Sequence, residues 1–354
     1  MLRKIVFTIT VLLLVIVVAY SIYIPGKSDA QIKMKQFVPT IIENSPTPTP
    51  KVIKIPTLAT SIPTIPPVNP TTTIPTNCEA IDMQKLLQDI TENNTREYVA
   101  NLVDDDSIPG HDELRTRASG TIGNRVEADY IKSHYDKYKI PNILQLVPSA
   151  SSNNIIASIK GKNESEAYLL VGHYDSVTTA AADDNGSGTA IVMEVARAIK
   201  KSGYCPNYSL EFINFTGEEL GLHGSKYYVQ NIPISKKIKG VINLDMLSNP
   251  SASGDCVNFV SAAHNLGSVI AQKASEVDLK YGIGLNAKAK SGSVGASDHY
   301  PFEVKGMPAV FGTECAFNNA VYHKVTDTSD KINYRQVTNT AKVVAATLVE
   351  LVGK

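Results

Sequence analysis

The strongest constraint on this chain is an alternation. From about residue 155 onward, short apolar runs give way to helical patterns, and three of the runs end directly in polar clusters. Ile155 to Ile159, Ala167 to Gly172, Leu210 to Phe215, Gly240 to Met246 and Pro308 to Gly312 have the length and composition of buried strands. Helical spacing covers Ile81 to Tyr98 and Arg125 to Tyr138, then recurs near Gly188 to Lys201, Ser225 to Gln230, Leu266 to Val277 and Arg335 to Val352. Such alternation predicts an α/β domain whose mostly parallel, mixed sheet is covered by helices on both faces. In that architecture the chemistry collects on loops leaving the carboxyl ends of the strands. The polar clusters are Val171-Gly-His-Tyr-Asp-Ser176, Thr216-Gly-Glu-Glu-Leu-Gly221 and Asn243-Leu-Asp-Met246.

Ahead of this region the chain has a different character. Ile5 to Ile24 is a run of 20 uncharged, largely apolar residues, enough to span about 30 Å of hydrocarbon at about 1.5 Å per residue. It lacks the short apolar core and small-residue cleavage site of a removable signal, so residues 1–24 are expected to be a transmembrane signal anchor. Arg3 and Lys4 favour a cytoplasmic N-terminus, which places the remainder outside the cytoplasm at the cell membrane. Residues 25–77 hold eleven of the nineteen prolines, mixed with Thr, Ser and Ile, and predict an extended, disordered stalk. Residues 78–354 contain no second linker and read as one domain.

With Lys+Arg 34 and Asp+Glu 34 the chain has no bulk charge bias, and nucleic acid is not an expected partner. Cys78, Cys205, Cys256 and Cys315 allow up to two disulfides in an exported domain, and the sequence does not choose among the three pairings. Oligomeric state is likewise left open.

A metal site of nitrogen and oxygen ligands needs imidazoles and carboxylates converging from several loops. The chain supplies His173 after one strand, the turn Ala182-Asp-Asp-Asn-Gly-Ser-Gly188, Glu218 and Glu219 after the next, Asp245 after another, and His323 in Tyr322-His-Lys-Val-Thr-Asp-Thr328. Any one of these alone is an ordinary turn, helix start or structural histidine; the ordered set is specific. The absence of G-x-S-x-G, H-E-x-x-H and Gly-rich phosphate loops removes the lipase-like, zincin and nucleotide-binding readings.

In these blocks, together with Ser297-Asp-His299, the region from about Arg117 to Lys354 resembles the co-catalytic zinc peptidases. That family includes secreted bacterial leucyl aminopeptidases, glutamate carboxypeptidases and, more remotely, glutaminyl cyclases. The resemblance implies two Zn²⁺ per chain bridged by Asp184, with His173 and Asp245 completing one site and Glu219 and His323 the other. It further implies Glu218 as general base, Asp175 as the carboxylate that fixes the His173 tautomer, and Tyr322 as a phenol that steadies the oxyanion. The expected substrate is a peptide or protein. A glutaminyl cyclase, a carboxypeptidase and a non-catalytic ectodomain of the same fold are the alternatives. Between Met246 and Tyr322 there is no arginine, hence no guanidinium fork for a peptide's carboxylate, and this favours an aminopeptidase. Glu314 is a candidate partner for the free amine, and the remaining histidines are expected to be structural.

Overall fold

A computed structural model of the chain describes residues 80–103, 116–177, 180–262, 266–292, 295–317 and 320–353. The expected anchor and stalk lie outside them, as does Cys78. Among the described residues no helix is long and apolar enough to cross a membrane.

The chain opens on helices α1 (Met83–Asp89), α2 (Glu92–Val103) and α3 (Ile122–Lys137), followed by strands β1 (Asn142–Val147), β2 (Ser152–Ile159) and β3 (Asn163–His173). Helix α4 (Gly188–Lys201) leads to β4 (Tyr208–Phe215), α5 (His223–Gln230), β5 (Lys237–Leu244) and β6 (Val257–Ser261). Then come α6 (Gly267–Tyr281), β7 (Ala287–Ser291), α7 (Tyr300–Val304), β8 (Ala309–Glu314) and α8 (Tyr334–Val352). The eight strands form one sheet in the order β1-β2-β4-β3-β5-β8-β6-β7. β4, β3, β5 and β8 run parallel at its centre, whereas β1, β2 and β4 are joined in antiparallel fashion, as are β8 and β6.

The strand pleat divides the core. Leu170, Phe212 and Ile242 face a large cluster with α1 to α4, α6 and α8, while Leu169, Val171, Ile213 and Phe215 face a smaller one with Tyr228, Val229 and Phe302 of α5 and α7. Helices therefore cover both faces, as expected. Helix α4 is buried from Gly188 to Ile199 and carries an internal ion pair, Arg197 Nε to Glu194 Oε2 at 2.6 Å. Its first residue must be small. A Cβ on Gly188 would lie 2.6 Å from the Leu244 carbonyl oxygen and 2.4 Å from Asn185 Oδ1, so glycine lets the helix start touch the end of β5.

Two expectations are corrected, and three strands come in addition to those expected. The single helix over Ile81 to Tyr98 is two, because Ile90 is extended and the Thr91 hydroxyl accepts the Asn94 N–H at 3.3 Å, capping a fresh helix. The predicted strand over Gly240 to Met246 ends at Leu244. Strands β1, β6 and β7 carry no long apolar run and take their conformation from their neighbours in the sheet.

Candidate metal centre

Each central strand delivers a side chain to the same edge of the sheet. His173 ends β3, Glu218 and Glu219 follow β4, Asp245 follows β5, and His323 lies in the segment between β8 and α8. Asp184 comes from the irregular turn Ala182–Ser187 that leads into α4, and the Asp184–Asn185 peptide is cis.

The Asp184 carboxylate is divided between two groups. Its Oδ1 lies 3.5 Å from His173 Nε2, which is also 3.4 Å from Asp245 Oδ1. Its Oδ2 lies 3.2 Å from His323 Nε2, which is in turn 3.2 Å from Glu219 Oε2. Ligand atoms of His173, Asp184 and Asp245 fall within 4.8 Å of one another, and so do those of Asp184, Glu219 and His323. The five expected ligands are thus brought together, and a third group sets Glu218, expected as a base and not a ligand, within the same 4.8 Å of His173 and Glu219.

Several of these atoms have only one another as close neighbours and find no hydrogen-bond partner among the described residues. His173 Nε2, Glu219 Oε1 and Asp245 Oδ1 are buried and make no hydrogen bond among the described residues. Each such atom would ordinarily cost about 1–3 kcal/mol. Orphaned imidazole and carboxylate atoms converging on one space fit a divalent cation of the zinc type, and imidazole ligands disfavour Mg²⁺.

The electrostatics of the protein framework agree. Burial pushes the Glu218 carboxyl up to about 10, against the opposing influence of His173, with Asp245, Asp298 and Glu219 adding to the rise. Glu219 is pushed up to about 8 by burial, and Asp298 to about 7. Burial works against protonation of His173, yet Asp245, Glu218 and Asp175 outweigh it and raise its pKa well above the usual value. So many acids in one buried space repel one another, and a cation relieves the repulsion.

A surrounding layer of hydrogen bonds fixes the ligands. His173 Nδ1 is 3.2 Å from the Asp175 carbonyl oxygen and 3.6 Å from its carboxylate, which leaves Nε2 directed at the cluster. The hydrogen bond of His173 Nδ1 thus goes to the Asp175 backbone rather than to the expected carboxylate, which instead accepts the Glu218 N–H at 3.2 Å, the Glu219 N–H at 3.4 Å and the Ser119 hydroxyl at 3.0 Å. Ser297 donates to Asp245 Oδ2 at 2.6 Å and accepts from Asn243 Nδ2 at 2.8 Å. Asp327 accepts the backbone N–H groups of Asp183 and Asp184. The role of Ser119 had no sequence signal; Asn243, Ser297 and Asp327 lay within recognised blocks, without an assigned partner.

Tyr322 stacks on His323 with ring centroids 3.8 Å apart and meets Phe317 edge-on at 4.8 Å. Burial, aided by Asp184 and Glu219, pushes its phenol up to about 12, so it remains a hydrogen-bond donor at neutral pH. Glu314 does not present a free carboxylate, because its Oε2 accepts the Asn249 N–H at 2.7 Å. Of the other histidines, His134 packs among Tyr98, Tyr135 and Tyr138, and His299 stacks on Phe311. His223 Nδ1 is 3.1 Å from the Ser149 carbonyl oxygen, and His111 and His264 lie outside the described residues. Cys256 and Cys315 form a disulfide that joins the start of β6 to the end of β8, and Cys205 is also disulfide-bonded.

The sequence pattern of peptidase family M28 matches residues 154–348, more than half of the chain. Leupeptin-inactivating enzyme 1 of Streptomyces exfoliatus is 34% identical over 202 residues, covering 54% of this chain and 43% of that protein. The chain spans about half the length of the curated relatives it matches. Among solved structures, the Legionella pneumophila LapA aminopeptidase has the same fold, with a TM-score of 0.67 at 20% identity over 80% of this chain and 78% of that one. BSAP, a zinc aminopeptidase from Bacillus subtilis, aligns with a TM-score of 0.52 at 27% identity over 57% of this chain and 51% of that one.

Proposed function

Because the chain belongs to peptidase family M28, we propose that it is a metallo-aminopeptidase whose centre would hold two zinc ions, with Asp184 offering one carboxylate oxygen to each ligand group. The observation that carries this reading is the division of the Asp184 oxygens, Oδ1 toward His173 and Oδ2 toward His323. His173 and Asp245 would complete one site, and Glu219 and His323 the other. Zinc, when bound, supplies Lewis acidity and lowers the pKa of a water.

The rest of the chemistry falls to the protein. Glu218 is the general base: it takes the proton of the attacking water and returns it to the leaving amine. Its backbone is held through Asp175, so its carboxylate stays beside the ligands without needing to be one. Glu219, as a ligand, would be kept ionised by a bound cation. Tyr322, neutral and stacked on His323, donates to the oxyanion of the tetrahedral intermediate. The lack of arginine between Met246 and Tyr322 favours a substrate read by its free amine. The membrane anchor at residues 1–24, with the catalytic domain outside the cytoplasm, remains part of this proposal.

The test pairs a peptide bearing a free N-terminus with its N-acetylated counterpart and reads products by mass. Stepwise shortening of the free peptide alone is expected. Removal of C-terminal residues from the acetylated peptide, or cyclisation of an N-terminal glutamine without shortening, would replace aminopeptidase by one of the two alternative activities.

A further inference from the structure

Arg117 lies far from the strand-exit motifs in sequence, yet its side chain is buried at 3% exposure against the loop after His173 and the turn that carries Asp184. Its guanidinium donates to four backbone carbonyls: Nε to Tyr174 at 2.8 Å, Nη1 to Leu102 at 3.0 Å and to Ala180 at 2.5 Å, and Nη2 to Ala181 at 2.8 Å. Its backbone joins the same loop, with the Arg117 N–H donating to Ser176 Oγ at 3.1 Å and its carbonyl accepting the Ser176 N–H at 3.4 Å. Burial opposes the charge on this guanidinium, and the carboxylates of Glu127, Asp327, Asp175 and Asp184 help to retain it.

These contacts converge on the turn that carries Asp184. Ala181 is held in the left-handed region at φ 50°, a conformation costing an alanine about 1 kcal/mol unless its surroundings impose it. The carbonyls of Ala180 and Ala181 accept from the Arg117 fork, while the N–H groups that follow are taken up by Asp327. The Ala182 N–H donates to the Asp327 carbonyl at 3.2 Å, and those of Asp183 and Asp184 donate to the Asp327 carboxylate at 2.9 and 3.0 Å. The turn is therefore gripped by a cation on its carbonyl side and by an anion on its amide side. Tyr174, between His173 and Asp175, is held by the same fork.

We propose that Arg117 is a positioning residue for the metal centre: its guanidinium fixes the turn from Ala180 to Asp184 and the loop after His173, so that the bridging carboxylate is in place before either ion binds. This rests on the two-zinc reading. A lysine would keep the charge but could not reach carbonyls spread over three segments, because its ammonium is a point on a flexible stem rather than a planar fork.

The experiment measures zinc affinity, by competition with a chromophoric chelator, in the unaltered full chain, in Arg117→Lys and in Arg197→Lys. Arg197 is a control, since its guanidinium is also buried but serves the ion pair with Glu194 within α4. Arg117→Lys should bind zinc about 10- to 100-fold more weakly, the usual cost of disturbing groups that orient ligands, and Arg197→Lys should bind as the unaltered chain does. Unchanged affinity in Arg117→Lys, or equal weakening in both variants, overturns the assignment. Should Arg117→Lys fail to fold, amide exchange in the chelator-treated unaltered chain decides. Slow exchange at Ala182, Asp183 and Asp184 supports a turn formed without metal, and exchange at the rate of an exposed loop refutes it. An unaltered chain that binds no zinc would overturn the two-zinc reading and this inference together, a result distinct from a defect confined to Arg117→Lys.

Discussion

The carboxylate of Asp327 accepts the backbone N–H of Asp184 at 3.0 Å, across 143 positions of sequence. Asp327 lies four residues beyond His323, so one short segment supplies a candidate ligand and also holds the backbone of the carboxylate that ligand faces at 3.2 Å. Removing the Asp327 carboxylate should loosen both together. Asp327→Ala is expected to lower zinc affinity by about 10- to 100-fold, measured by chelator competition. Wild-type affinity in that variant would show that the turn is fixed by other contacts.

Glu218 and Glu219 are adjacent in sequence and separable in function. Glu218→Gln should keep its metal complement, read by elemental analysis, while losing turnover by about 10²- to 10⁴-fold. Glu219→Ala should lose metal from one site. Near-normal turnover in Glu218→Gln would remove the general-base assignment.

Chelation should abolish peptide hydrolysis, and zinc should restore it, since three buried ligand atoms make no other hydrogen bond among the described residues. Dialysis against a strong chelator followed by zinc titration measures this. Full activity at zero bound metal is the outcome that contradicts a metallopeptidase.

His134 gives a pH dependence remote from the metal ligands. Burial lowers its pKa to about 4 from the ordinary 6.5, while the Met193 carbonyl, 3.1 Å from its Nε2, acts in the opposite direction. Between those two values the unfolded chain takes up a proton that the folded chain does not. Its contribution is therefore complete above pH 6.5, declines as the pH falls, and reaches its full loss, about 3 kcal/mol, near pH 4. Urea unfolding of the chain and of His134→Gln across pH 4–7 should give a flatter profile for the variant. Parallel profiles would mean that other groups dominate.

The Cys256–Cys315 bond closes a sequence separation of 59 residues. In the chain-entropy account, its removal in a Cys256→Ser, Cys315→Ser double variant costs about 4 kcal/mol of stability. The denaturant midpoint is the measurement, and an unshifted midpoint would show that the sheet alone holds β6 to β8.

The candidate site residues that leave strand ends were legible in the sequence because the parallel sheet makes them local, whereas their division into ligands and base came from the family resemblance. A strand ends, the next few residues lie at the sheet's carboxyl edge, and His173, Glu218, Glu219 and Asp245 are those residues. Helix α4 was legible for a related reason: its apolar residues and the Gly188 start are a property of one segment. Strands β1, β6 and β7 were not legible, since short strands such as Asn142–Val147 and Ala287–Ser291 are defined by pairing with a neighbour rather than by their own composition. Nor was the break at Thr91, where a single hydroxyl acceptor outweighed a continuous helical spacing.

What the sequence determined by itself is which chemical groups leave which strands, because side-chain identity and strand period are short-range properties. The tertiary structure decided how those groups are shared: Asp184 between two imidazoles, Asp175 between His173 and the Glu218–Glu219 backbone, and Arg117 and Asp327 on opposite sides of one turn. Apart from the contact between His173 and Asp175, those relationships are hydrogen bonds and ion contacts between segments from about ten to more than a hundred residues apart. Their distances are set by the packing of α2, α4 and the sheet, and no local pattern encodes them.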